Sequence, residues 1–145
     1  MRIQVVCLLL VLLTATVLTR DTKINQRYKK FINQHINENM DARSCDEEMK
    51  ARKINIKKSM CKKINTFILA SAEDVKYVCK KGEKVGKMTK SNRGFDIVVC
   101  NLKKQQGKRA KCQYHGEKLN NKKILIKCEK GFPVHYDGDI GYCDN

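Results

Sequence analysis

Seven cysteines spread behind an uncharged apolar leader constrain this chain more than any other feature. Residues 3–19 read IQVVCLLLVLLTATVLT and carry no charge, Arg2 supplies a short positive start, and small or polar residues follow the apolar stretch Val5 to Leu13. A spanning helix needs roughly 18 to 20 strongly apolar residues, so residues 1–20 read as a secretory signal peptide and 21–145 as one secreted domain. Cys7 leaves with the leader. In an oxidising compartment Cys45, Cys61, Cys79, Cys100, Cys112, Cys128 and Cys143 become a disulfide framework. No CxxC pair occurs among them, which argues against a zinc ribbon or a redox motif. One thiol is left over, and six cysteines alone admit 15 pairings that spacing cannot choose between.

The framework matters because the core is modest: 32% of residues are charged and none is Trp. Cross-links contributing about 2 to 4 kcal/mol each are then essential to stability. A formal charge of +16 leaves three classes open: a cationic antimicrobial, a heparin-binding factor, or an enzyme acting on polyanions.

Ile24, Tyr28, Phe31 and Ile32 fall at helical spacing, predicting a first helix from Lys23 to about Asn37 that carries His35 on its core-facing stripe. Ser44 with Glu47 is a capping-box pattern for a second helix over Cys45 to Lys53. Ser71 and Asp74 repeat the signal ahead of Val75, Val78 and Cys79. Thereafter Phe95–Leu102, Lys111–Tyr114, Lys123–Cys128 and Pro133–Tyr136 are rich in β-branched and aromatic residues, with Gly107, Gly116, Asn120-Asn121 and Gly131 between them. Helices early and an antiparallel sheet late predict an α+β fold.

The chain has three histidines, the side chain best placed for proton transfer near neutral pH. His35 on a helix face also fits an inert core residue. His115, in QYHGEK, reads as a solvated turn residue. His135 lies two residues before Asp137, a carboxylate able to fix an imidazole tautomer, although alternate strand residues share a face in inert sheets too.

The segment CKKINTFIL, Cys61 to Leu69, bears on these alternatives. With RYKKFINQH, SCDEEM, SAEDVKYVC, CQY and CEKGFPVHYD, it resembles the pancreatic-type secreted ribonuclease superfamily across the whole region after the leader. The similarity is greatest to the angiogenin-like, three-disulfide branch known from fishes, since no cysteine lies between Cys79 and Cys100. The resemblance implies a bent, V-shaped, disulfide-stapled sheet with three short helices, and bonds Cys45–Cys100, Cys61–Cys112 and Cys79–Cys128. Cys143 departs from the pattern: it stays free, is capped by a small thiol, or joins two copies of an otherwise monomeric protein.

By the same resemblance His35 is the general base, His135 the general acid and Lys62 the cation at the transition state. Gln34 contacts phosphate, Thr66 reads a pyrimidine with Asn65 and Phe67 shaping its pocket, Asp137 backs the acid histidine, and Glu129 meets the downstream base. Tyr136 supplies an aromatic beside His135, and Gly138 stands where angiogenin has a pocket-blocking glutamine. Single-stranded RNA is the implied substrate, with no cofactor and no metal. Lys29, Lys30, Arg52, Lys53, Lys57, Lys58, Lys62 and Lys63 are candidate phosphate contacts. The same charge suits anionic bacterial surfaces, heparan-type polyanions or a cell-surface receptor, and KARKINIKK resembles a basic run for nuclear uptake. A membrane-disrupting antimicrobial, or a signalling ligand independent of catalysis, is the competing class.

Overall fold

The computed structural model describes residues 21–103 and 111–140. The leader and Cys143 lie outside these residues. Helix α1 spans residues 21–35, α2 spans Cys45–Ala51 and α3 spans Ala72–Lys81. The strands are β1 (Ile56–Lys57), β2 (Met60–Cys61), β3 (Ile64–Ile68), β4 (Glu83–Val85), β5 (Met88–Lys90), β6 (Phe95–Leu102), β7 (Tyr114–Glu129) and β8 (Phe132–Ile140). β1 and β2 form a separate two-stranded ladder.

Two arms of antiparallel sheet share β7. Its first half, from Tyr114 to Lys122, pairs with β6, and β3 pairs with the far edge of β6. Its second half pairs with β8 on one side and with β5, followed by β4, on the other. Register shifts interrupt the β6–β7 and β7–β8 ladders, and Asn121 adopts a positive φ of 54° at the junction. Such bulges bend a strand and let one long element serve both arms.

The apolar runs are explained by a core on each side of β6. Phe95, Ile97 and Val99 join Phe31, Ile36, Ile68, Val75, Val78, Ile124 and Ile126 in one cluster. Val98 and Cys100 join Met40, Met49, Ile54, Phe67 and Tyr114 in the other. Because side chains alternate along a strand, the run IVVC, Ile97 to Cys100, is apolar throughout where both faces are covered, and Asp96 before it is exposed.

The three disulfides are Cys45–Cys100, Cys61–Cys112 and Cys79–Cys128, with Cα separations of 5.8, 5.5 and 5.8 Å. The pairing implied by resemblance is therefore the one found. Each closes a loop of similar length, 55, 51 and 49 residues apart in sequence, and restricts the unfolded chain by about 4 kcal/mol in a loop-entropy account.

Four local expectations change. Ser44 makes no side-chain cap: a 3-10 turn over Ala42–Ser44 precedes α2, and Asp41 caps that turn by accepting from the Arg43 N–H. Ser71 does cap α3, accepting from the Asp74 N–H. Gly116 and Asn120-Asn121 do not break the sheet but lie inside β7, so His115 is an exposed strand residue opposite Asn101 rather than a turn residue. β3 and the β4–β5 hairpin are further strands, and β3, INTFI, carries β-branched and aromatic residues within the CKKINTFIL segment. In β4 every residue is exposed, so no alternation marks it.

Candidate active site

The end of α1 is fastened to β3 by three contacts. Ile36 bridges Ile68 in parallel fashion, the Asn37 N–H donates to the Ile68 carbonyl, and Asn65 Nδ2 donates to the Gln34 carbonyl at 2.9 Å. Arg52 secures the same turn from the other side. Its Nη1 donates to the carbonyls of Ile32, Asn33 and Ile36 at 3.3, 2.9 and 2.8 Å, while Nε binds Glu48. The three carbonyls lie at the helix end, where intrahelical donors run out, although the Ile32 carbonyl also accepts from the Ile36 N–H. Arg52 thus serves the fold, with its guanidinium over the Phe67 ring, instead of lining the cleft.

This frame orients His35, which is 8% exposed. Nδ1 lies 2.8 Å from the Thr66 carbonyl oxygen. A carbonyl only accepts, so Nδ1 carries the proton and Nε2 keeps its lone pair. Burial, more than anything else, drives the His35 pKa down to about 4. The positive charges of Lys62 and His135 push the same way, against the Thr66 bond. The imidazole is therefore neutral across the ordinary range.

Lys62 is half-buried, and its Nζ donates to Asn65 Oδ1 at 2.8 Å. Burial, then the neighbouring Lys57 and Lys30, lowers its pKa from the ordinary lysine value. Its main chain is held too: the Lys62 N–H donates to the Asn55 carbonyl and the Lys62 carbonyl accepts from the Tyr114 hydroxyl at 2.7 Å. His135 is exposed on β8, its Nε2 3.7 Å from Asp137 Oδ1, an ion-pair distance longer than a hydrogen bond. Tyr136 stacks on the His35 ring with centroids 5.2 Å apart.

His35, Lys62 and His135 line one cleft of about 940 Å³, together with Gln34, Asn65, Thr66, Tyr136 and Asp137. Two residues expected to face substrate do not line it. Phe67, on the strand face opposite Thr66, is wholly buried in the second core cluster. Glu129 pairs with Arg27 at 2.6 Å, and Arg27 itself lines the wall. Lys30, Lys53 and Lys57 join Lys62 there, whereas Lys29, Lys58 and Lys63 do not. Arg27 and Lys127 are cleft cations the sequence left unmarked; Arg27 falls one helical turn before Phe31, a spacing that would have flagged it. Among the described residues no cluster of three His, Cys, Asp or Glu is arranged to hold a metal ion.

A buried neutral imidazole, an exposed second imidazole and a cation around one basic cleft can move protons at either side of an anion. Comparison with known proteins gives the family. A family model described as pancreatic ribonuclease matches residues 26–137. "Ribonuclease-like 3" of Danio rerio is 30% identical, covering 94% of this chain and 96% of its own length. Mouse (Mus musculus) "Angiogenin-4" is 37% identical over 78% of each chain. Among solved structures, "The X-ray structure of zebrafish RNase5" superposes with a TM-score of 0.73 at 38% identity, over 80% of this chain and 96% of that one. Green turtle egg white ribonuclease gives 0.69 at 31%, over 79% and 98%. The chain belongs to the pancreatic ribonuclease family, in its angiogenin-like, fish-type branch.

Proposed function

We propose that the protein is a secreted, metal-independent endoribonuclease that cleaves RNA on the 3′ side of pyrimidines through a 2′,3′-cyclic phosphate. The observation that carries the reading is the His35 Nδ1–H bond to Thr66 in a cleft shared with Lys62 and His135. RNA supplies its own nucleophile. Nε2 of His35 takes the proton of the ribose 2′-OH as that oxygen attacks phosphorus, and Lys62 Nζ neutralises charge on the nonbridging oxygens. Protonated His135 gives its proton to the departing 5′-oxygen. The products are a cyclic phosphodiester and a 5′-hydroxyl, and water then opens the ring with the histidine roles reversed. Proton transfers of this kind contribute about 10²- to 10⁴-fold each, and a positioned cation adds electrostatic stabilisation without reorganisation.

Thr66, whose N–H and hydroxyl suit the O2 and N3 edge of a pyrimidine, gives the base preference. Gln34 and Asn65 border the phosphate. The test is digestion of CpA, UpA, ApA and a DNA dinucleotide in EDTA, with products followed by phosphorus NMR. Cyclic phosphate from CpA and UpA alone supports the reading; dependence on added divalent metal, or cleavage of DNA, overturns it.

A second reading is favoured by one surface. Ile56, Met60 and Ile64 are 54%, 56% and 53% exposed among Lys57, Lys58 and Lys63, an apolar patch ringed by cations that suits an anionic bilayer. Killing of bacteria that survives His35→Ala would show that this activity does not depend on cleavage.

A further inference from the structure

A second cavity of about 460 Å³ opens where α3 meets the β7–β8 turn, lined by Lys76, Tyr77, Lys80, Lys130 and Phe132, with Glu73 as its carboxylate. Lys76, Tyr77 and Lys80 share one face of α3, being three and four residues apart. The Tyr77 ring is 56% exposed and makes no hydrogen bond or ring contact among the described residues, where Lys80 likewise forms no ion pair. Across from them a two-residue turn joins β7 to β8, with Glu129 opposite Phe132. Lys130 and Gly131 take positive φ of 49° and 81°, the conformation such a hairpin turn requires and one that Asn-Gly adopts most readily. A lysine is the strained choice there, and it puts an exposed cation on the cavity rim. Its ion pair with Asp21, 3.4 Å between two half-exposed side chains, holds it weakly.

This face adjoins the cleft. Arg27 lines the cleft and binds Glu129, while Tyr28, next to it in α1, packs its ring 5.1 Å from that of Phe132. Lys76 Nζ lies 4.6 Å from the same Phe132 ring. Lys127 on the cleft wall, then Glu129 and Lys130, follow one another into the turn. A chain that leaves the cleft past Arg27 and Glu129 therefore meets Lys130 and, beyond it, α3. Exposed aromatic rings flanked by cations suit single-stranded nucleic acid, since every base has a face to stack and every linkage a charge to neutralise. Resting on the ribonuclease reading above, we propose that this face is an exosite for single-stranded RNA downstream of the scissile bond, where a base stacks on Tyr77 and phosphates meet Lys80 and Lys130.

The experiment measures kcat and KM on one uridine followed by one, four or eight deoxyadenosines, each substrate having a single cleavable bond. The enzymes are the wild type, Tyr77→Ser, Lys80→Gln and Lys130→Asn. In the wild type KM falls as the tail grows. Tyr77→Ser raises KM for the longest tail about tenfold, as removal of a stacking ring does. Lys80→Gln and Lys130→Asn each lower the slope of log KM against log salt by about 0.7 on that substrate. All three leave the one-deoxyadenosine substrate within twofold of wild type. Asn suits the turn better than Lys, so Lys130→Asn melts no lower than wild type and separates a lost RNA contact from a lost fold. A KM independent of tail length, a gain that all three variants retain, or variants that shift short and long substrates alike overturn the proposal and leave the ribonuclease reading intact. An equal gain from an abasic tail of the same length also overturns it, marking a general polyanion surface. Failure of the wild type to cleave the shortest substrate overturns both.

Discussion

His35 donates Nδ1–H to the main-chain oxygen of Thr66 across 2.8 Å, so the residue proposed to read the base also sets the tautomer of the proposed general base. Position of the base edge and readiness of the proton acceptor are mechanically one feature. Displacing β3 would disturb both.

Burial holds the His35 pKa down to about 4, with Lys62 and His135 adding to the effect. The acid limb of kcat/KM reports the free enzyme, so its midpoint falls near pH 4 instead of the usual histidine value of about 6.5. A bound phosphodiester cancels part of the positive field, so the acid limb of kcat lies at higher pH. An acid limb of kcat/KM at 6.5 would show that burial does not depress the His35 pKa. Lys62→Gln raises the His35 pKa, followed directly by NMR titration.

The same shift has a consequence for stability. Protonation of His35 is disfavoured in the fold, so between pH 6.5 and 4 the unfolded chain binds more protons and stability is lost as pH falls. A drop from 6.5 to about 4 corresponds to about 3 kcal/mol for this buried group. Urea midpoints measured at pH 7 and pH 4 show the loss in the wild type. A His35→Gln variant shows a smaller loss over the same interval.

Arg52 carries structure, not substrate. Replacing it with Ala removes a charged donor from three carbonyls at the end of α1, of which Ile32 keeps the Ile36 N–H, and leaves Glu48 without its partner. Hydrogen bonds to a charged donor contribute about 1.5 to 3 kcal/mol each when not shared, and these share one nitrogen, so the variant loses about 2 to 4 kcal/mol in chemical denaturation. Arg52→Lys recovers little of it, because an ammonium lacks the planar fork that reaches carbonyls and carboxylate together. A role in phosphate contact would show the opposite pattern: stability unchanged and a flatter salt dependence of KM.

Much of this was legible in the chain, and the parts that were not share a physical reason. The cysteines, His35 on an apolar helical stripe, and Ser71 before Asp74 are local signals, and each has its place in the fold. Ser44 carried the same local signal as Ser71, but the 3-10 turn ahead of α2 uses Asp41 instead. Arg52 read as one more cation in a basic run because the carbonyls it serves lie 16 to 20 residues away, although Glu48 stands one helical turn before it. Glu129 finds Arg27 at a separation of 102. Charge runs announce an anionic partner without saying which members the fold keeps for itself.

Two disulfides separate stability from catalysis. Cys61–Cys112 and Cys79–Cys128 close loops of nearly equal length, so Cys61→Ala/Cys112→Ala and Cys79→Ala/Cys128→Ala lose similar stability, about 2 to 4 kcal/mol each. Cys61 immediately precedes Lys62, whose ammonium is aimed by Asn65. The first pair therefore loses markedly more kcat than the second when both are assayed well below their melting temperatures. Equal losses of kcat would mean that the bonds to Asn55, Tyr114 and Asn65 hold Lys62 without the disulfide.

Gly116 explains why a residue that read as a turn sits inside a strand. A Cβ built there would lie 1.9 Å from the Ala42 oxygen and 2.9 Å from Cys45 Sγ, so the 3-10 turn packs directly on the β7 backbone. Neither contact is the flexible end of a side chain, since one is main chain and the other is locked into a disulfide. Gly116→Ala therefore destabilises by about 2 kcal/mol or more, as overpacking of a rigid site does. Gly86 provides the contrast. Its φ is +61° and nothing lies within 4 Å of its missing Cβ, so Gly86→Ala meets only backbone strain of about 1 to 2 kcal/mol. Combining Gly116→Ala with Cys45→Ala/Cys100→Ala relieves part of the clash, and the double change is then less destabilising than the sum of its parts by thermal melts.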